Sequence, residues 1–163
     1  MRRLLICVAL VSFVLAPSAN SATLDLVQPA PGPITRHFEP PPTPYAAGHR
    51  GIDFGAPVGT RVVAAAAGTV AFAGQVGGSL FVSIDHPGGL RTTYSFLSLV
   101  LVKKGQAVAQ GQLVARSGPG AAGEQPNLHF GLRSGTDYLD PESYLLASIR
   151  RNLWRVIWLA PIP

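Results

Sequence analysis

From His49 to Leu145 the chain is a string of short, valine-rich runs, RVVAAA, TVAFAG, LFVSID, LRTTY, VLVKK, QLVARS and LHFGLR, separated by glycine. Such runs are too short for a helix and never acquire its 3.6-residue period. β-Branched residues in brief alternating stretches suit the pleat of a half-buried strand instead. The stretch HPGG, His86 to Gly89, lies between two of the runs and has the composition of a hairpin turn. The expectation is an all-β fold of packed hairpins, with no helix longer than about two turns between His49 and Leu145. A chain of 163 residues holds one compact domain with a sizeable core and is too short for two of ordinary size.

The flanking segments have a different texture. Residues 1–22 begin with Arg2 and Arg3, continue through an apolar run from Leu4 to Ala16 and end in the small residues of PSANSA. That is the pattern of a secretory signal peptide, shorter than a membrane-spanning helix. Cleavage near Ser21 or Ala22 removes Cys7, the only cysteine, so the exported product is expected to carry neither disulfide nor free thiol. Cys7 lies too early in the apolar run, without small residues before it, to read as a lipid-attachment site. A released product in the cell envelope or outside the cell is expected.

Residues 23–44 form a proline-rich lead-in with room for one short strand at Ile34 to Phe38. Residues 45–146 are the domain proper. Residues 147–163, ASIRRNLWRVIWLAPIP, join Leu153, Trp154, Ile157 and Trp158 to three arginines, an amphipathic tail in which a short helix is expected. Packing on the domain is the plainer reading of this tail, and contact with a membrane surface is the other. The net charge of +5, or +3 without Arg2 and Arg3, is scattered apart from Lys103, Lys104 and the Arg150, Arg151, Arg155 group. No nucleic-acid-binding stripe results. A mild positive charge suits an anionic envelope and suits plain solubility equally well.

Two patterns inside the domain stand out. Gly59-Thr-Arg-Val62 followed by Gly68-Thr-Val70 is echoed by Gly105-Gln-Ala-Val108 followed by Gly111-Gln-Leu113. The echo fits two similar hairpins packed together, and equally the ordinary recurrence of glycine-rich β sequence. The second pattern is chemical. His49 and Asp53 lie four apart in a non-helical segment, and His129 enters a later strand. Two imidazoles and a carboxylate can hold Zn2+ with a fourth position open to water. Spacing alone leaves the three open to a blander reading as unrelated surface residues.

Several separated blocks carry a resemblance. HRGIDFGAPVGTRVVAAAAGTV, IDHPGGLRTTYSFLS, VKKGQAVAQGQLVARSG, NLHFGLR and DPESYL resemble, in this order from about Ile34 to Leu145, the lysostaphin or LytM type of zinc metallopeptidase, which cuts peptide bonds in bacterial peptidoglycan. The resemblance implies a LytM-like β domain of the duplicated hybrid motif type, with its active site in a groove. It implies a zinc ion held by the H-x-x-x-D pair and by the second histidine of H-x-H. Those positions are His49, Asp53 and His129, and all three are intact. It also implies peptidoglycan peptides as the ligand.

The chain departs from the family at two places. Y-x-H-L reads Tyr94-Ser-Phe96-Leu97, and Asn127 stands for the first histidine of H-x-H. In the family these two histidines sit beside the metal-bound water, helping to deprotonate it and to stabilise the oxyanion. Phenylalanine does neither, and asparagine donates a hydrogen bond without exchanging a proton near neutral pH. Of the groups left to help, His86 reads as part of the turn, His37 as exposed, and Tyr94 as a donor that belongs to the matched motif. The leading expectation is an exported zinc-binding wall domain with weak or no hydrolysis, which binds peptidoglycan peptides or regulates another cell-wall enzyme. The alternative is an active zinc metallo-endopeptidase helped by Asn127 and Tyr94. A third class, a carrier domain, is prompted by VKKGQAVAQGQLVA, which resembles the hairpins of biotinyl and lipoyl domains. It lacks the lysine at a tight turn, flanked by methionine or aspartate, that such domains modify.

Overall fold

Wherever a valine-rich run meets glycine, the backbone turns. The tightest turn is made by Gly77 and Gly78, at φ 55° and 87°, which close a two-residue hairpin between β4 (Gly68–Val76) and β5 (Ser79–Asp85). Two successive left-handed residues match the twist of the flanking strands, and glycine adopts them without a Cβ penalty. A 3-10 turn at Pro87–Gly89 then leads β5 into β6 (Leu90–Val100), as HPGG implied. The computed structural model describes residues 24–43, 46–121 and 125–159. The signal-peptide reading of residues 1–22 lies outside them, as do the side chains of Trp154, Ile157 and Trp158.

The remaining strands among the described residues are β1 (Ile34–Arg36), β2 (Ile52–Gly55), β3 (Arg61–Val63), β7 (Ala107–Val108), β8 (Leu113–Ser117), β9 (Asn127–Ser134) and β10 (Asp137–Leu139). They join one antiparallel sheet in the order β1-β2-β9-β6-β5-β4-β7, with β10 on β9 and β8 bridging β6 to β3. The fold is all-β, as expected, apart from the C-terminal helix. The sequence echo corresponds to an exchange: β3 pairs β8 while β4 pairs β7, so each of the two similar segments is completed by the other. Their turns bond in matching fashion. Gly59 N–H donates to the Ser117 carbonyl and Ser117 N–H to that of Thr60, while Gly105 N–H donates to the Val70 carbonyl and Val70 N–H to that of Gln106.

Strand alternation builds the core and the site together. On β9 the side chains of Leu128, Phe130 and Leu132 are buried in the core, as are Ile52 and Phe54 on β2 and Thr92 and Tyr94 on β6. The intervening residues Asn127, His129, Gly131 and Arg133 therefore share the opposite face of β9, and Asp53 and Gly55 that of β2.

The proline-rich lead-in supplies the short strand expected at Ile34 to Phe38, as β1 (Ile34–Arg36). Ile34 and Arg36 on β1 pair with Phe54 and Asp53 on β2, and Glu39 and His49 exchange two backbone hydrogen bonds. The helix α1 (Pro141–Leu159) begins six residues before the tail read from sequence and is longer than the short helix expected there. Asp140 caps it by accepting the Glu142 N–H at 2.9 Å, with Pro141 in the first turn, where its missing N–H costs nothing. The helix packs on the domain through Leu145 and Ser148, whose hydroxyl accepts the Leu26 N–H, and through an ion pair of Arg151 with Asp25. Leu146, Ile149 and Leu153 stay exposed. No helix among the described residues is long and apolar enough to cross a membrane.

Candidate metal centre

The register of β2 against β9 sets Asp53 directly opposite His129. Side chains in that relation start about 5 Å apart and point the same way, so no loop is needed to join these two. His49 reaches them from the bend before β2. That bend requires Gly51, because a Cβ there would lie 2.4 Å from the Phe130 carbonyl oxygen and 2.9 Å from His129 Nε2.

The three side chains converge. His129 Nδ1 lies 2.8 Å from Asp53 Oδ1, His49 Nε2 lies 3.1 Å from the same oxygen, and the two imidazole nitrogens are 3.0 Å apart. His49 Nδ1–H donates to the His37 carbonyl at 2.7 Å, which fixes the ring and leaves Nε2 facing the cluster with its lone pair. Burial by itself would raise the Asp53 pKa, but the hydrogen bond and charge of the neighbouring His129 oppose it, and the carboxyl is held below its usual value.

This donor set fits a zinc ion. Around tetrahedral zinc with bonds of about 2.0–2.2 Å the donors sit roughly 3.4 Å apart, so these three would open by roughly 0.3–0.6 Å. Lone pairs from His49 and from the Asp53 carboxylate face each other at one point, which a cation relieves. Among the described residues this is the cluster with the makings of a metal site.

The cluster lies in a groove of about 470 Å³ whose lining also includes Phe81, Phe96, Ser95 and Arg133. Phe96 is the one non-glycine residue with positive φ among the described residues, at 59°. It sits where β6 changes partner: pairing with β9 ends at Ser95 and pairing with β8 begins at Leu97. The Phe96 carbonyl accepts the Gly118 N–H at 2.7 Å, tying the kink down. A left-handed phenylalanine in a strand costs on the order of 1–3 kcal/mol and persists because its surroundings impose it.

The other residues singled out from sequence fall apart. Asn127 shares the groove face of β9, yet it is buried and lines an adjoining cavity, to which Arg36 and Asp53 also contribute. Tyr94 as a donor to the metal site is corrected. Its side chain is fully buried, and its hydroxyl accepts the Ala65 N–H at 2.8 Å and the Thr92 hydroxyl at 3.2 Å. Burial raises its pKa to about 12 against the smaller opposing effect of those two bonds. His86 is a structural bridge, with Nδ1 donating to the Ala67 carbonyl and Nε2 lying against the Thr92 hydroxyl, both at 2.8 Å. The His37 imidazole is exposed and pairs with Glu142 at 2.8 Å, while its carbonyl orients His49. Sequence reading missed that carbonyl, since nothing about a backbone oxygen is written in residue type.

Comparison with known proteins places this arrangement. The chain is 34% identical over 144 residues to an uncharacterised protein of Mycobacterium tuberculosis, a match covering 85% of this chain and 57% of that one. It is 37% identical over 109 residues to the peptidoglycan DD-endopeptidase ShyA of Vibrio cholerae, covering 61% of this chain and 24% of ShyA. Among solved structures, a zinc-containing peptidase from Vibrio cholerae superposes with a TM-score of 0.61 at 29% identity, over 72% of this chain and 38% of that one. The match to Peptidase family M23 spans residues 47–141, from just before His49 to the first residue of α1, and the chain belongs to that family.

Proposed function

We propose that the chain is an exported, zinc-binding cell-wall domain that binds peptidoglycan peptides with little or no hydrolysis of its own, alone or as the partner of another cell-wall enzyme. The observation that carries this reading is the coexistence of an intact His49, Asp53 and His129 cluster with Phe96 on the wall of the same groove. Bound zinc would supply Lewis acidity and a water acidified toward a pKa of about 7. The chain's own residues decide the rest. His49, held by the His37 carbonyl, Asp53 and His129 would hold the ion. Phe96 keeps its wall apolar and neither takes nor gives a proton, and the Asn127 carboxamide exchanges none. General acid and base groups are worth about 10²- to 10⁴-fold each, so their replacement removes most of the rate. The peptidoglycan substrate class draws support from ShyA, and export from the pattern of residues 1–22.

The intact donor set also favours a second reading, an active endopeptidase. Metal analysis of the mature protein, coupled to digestion of purified peptidoglycan, separates the two. About one zinc per chain without release of new amine termini is the expected result. Robust cleavage that disappears with His129→Ala installs the enzyme reading in its place.

A further inference from the structure

The groove sets arginines beside its metal cluster. Arg36, Arg50 and Arg133 line it, and Asp53 is the one acidic residue in that lining. Asp53 is already committed to two histidines. Arg50 and Arg133 gather around one tyrosine. Tyr138 on β10 stands opposite Arg133 on β9, so their side chains share a face, and the Arg50 guanidinium carbon lies 5.7 Å from the Tyr138 ring centroid. Arg50 is steadied by donating to the Ala46 carbonyl at 3.1 Å. Asp85, whose field also reaches Arg133, is held through both oxygens by Arg91.

One strand face runs from the metal cluster to Arg133. His129, Gly131 and Arg133 follow one another on the same face of β9, and Gly131 places no side chain between the other two. At about 3.3 Å per residue, Arg133 lies roughly 13 Å along the strand from His129. An extended peptide with a carbonyl at the metal cluster would therefore bring a group two to four residues away, by rough count, to the guanidiniums. A planar guanidinium matches a carboxylate through two parallel N–H···O bonds, and stacking on tyrosine preorganises it for that geometry.

We propose that Arg50 and Arg133, set about Tyr138, form a carboxylate-binding subsite, so that the groove selects peptides carrying a free carboxylate a few residues from the carbonyl at the metal cluster. This rests on the reading that the groove binds peptidoglycan peptides. The test is titration calorimetry of the zinc-loaded mature chain with a purified peptidoglycan stem tetrapeptide, and with the same peptide after conversion of its carboxylates to amides. The wild type should bind the free acid at least about tenfold more tightly than the amide, as loss of a charge-assisted pair implies. Arg133→Gln and Arg50→Gln should each shrink that ratio toward one, with circular dichroism and melting temperature confirming that the variants fold. Equal binding of both peptides by the wild type overturns the subsite and leaves peptide binding standing. A preference for the acid that survives both substitutions also overturns it, since the metal would then be reading the carboxylate. Binding of neither peptide sinks the peptidoglycan reading and the subsite with it.

Discussion

The Phe96 ring meets the His129 ring edge-on, with centroids 6.2 Å apart and planes at 68°. A side chain at this place reaches the metal cluster directly, and an imidazole there would bring a proton acceptor to it. Phe96→His combined with Asn127→His should raise zinc-dependent release of amine termini from peptidoglycan by about 10² or more. Adding His129→Ala should abolish the gain. A double variant as inert as the wild type would show that the groove lacks something besides the two histidines.

Zinc should stabilise the folded chain, because the three donors converge only when β2 and β9 are paired. At a zinc concentration about 100 times Kd, linkage contributes about 2.7 kcal/mol, a rise in melting temperature of roughly 5–10 °C. Thermal melts with and without chelator check this. His129→Ala should erase the difference, and an unchanged difference would place the binding site elsewhere.

His86 should make the fold acid-sensitive. Desolvation by burial lowers its pKa, against the smaller raising effects of the Ala67 carbonyl and Asp85. The folded state therefore favours the neutral ring, and the unfolded chain binds the proton first as pH falls through about 6.5. The contribution is fully present above that pH and is lost progressively below it. Denaturant midpoints measured from about pH 7.5 to pH 5 should fall for the wild type, and less steeply for His86→Gln. Parallel curves would show that His86 is not the group responsible.

Tyr94→Phe should act on stability alone. Removing the hydroxyl strands the Ala65 N–H in the core, at a cost of about 1–3 kcal/mol. In the Phe96→His, Asn127→His background it should leave the cleavage rate unchanged at temperatures where the protein is folded. A large fall in rate without unfolding would return Tyr94 to the reacting groups.

Much of this was legible in the sequence. Valine runs cut by glycine announced the strands, because period-two alternation is local and needs no knowledge of partners. His49, Asp53 and His129 were legible through motifs whose spacing the fold converts into register. Tyr94 was misplaced for a definite reason. It was named as a donor because it belongs to the matched motif. In a regular strand it would share a face with Phe96, two residues on, but the left-handed backbone at Phe96 breaks the alternation and sends one inward and the other to the groove. Phenylalanine has no preference for positive φ, so no residue type marked the break. The helix start was legible and passed over: Asp140, Pro141 and Glu142 spell an N-cap, a first-turn proline and a first-turn acid. The lead-in joined the sheet because proline bars interior ladder positions but tolerates an edge, where β1 lies.

The exchange of β3 and β4 with β8 and β7 works as a clasp. Thr60 and Ser117 meet across 57 positions of chain, so neither half of the clasp has its partner until the whole span between them has been gathered in. Contacts this remote make closure slow and nearly all-or-none. The same topology makes the domain indivisible. Fragments cut at the exposed turn near Gly88 would each hold an unclosed half of the clasp, and they would regain the metal cluster only by reconstituting with each other, since Asp53 lies in one fragment and His129 in the other.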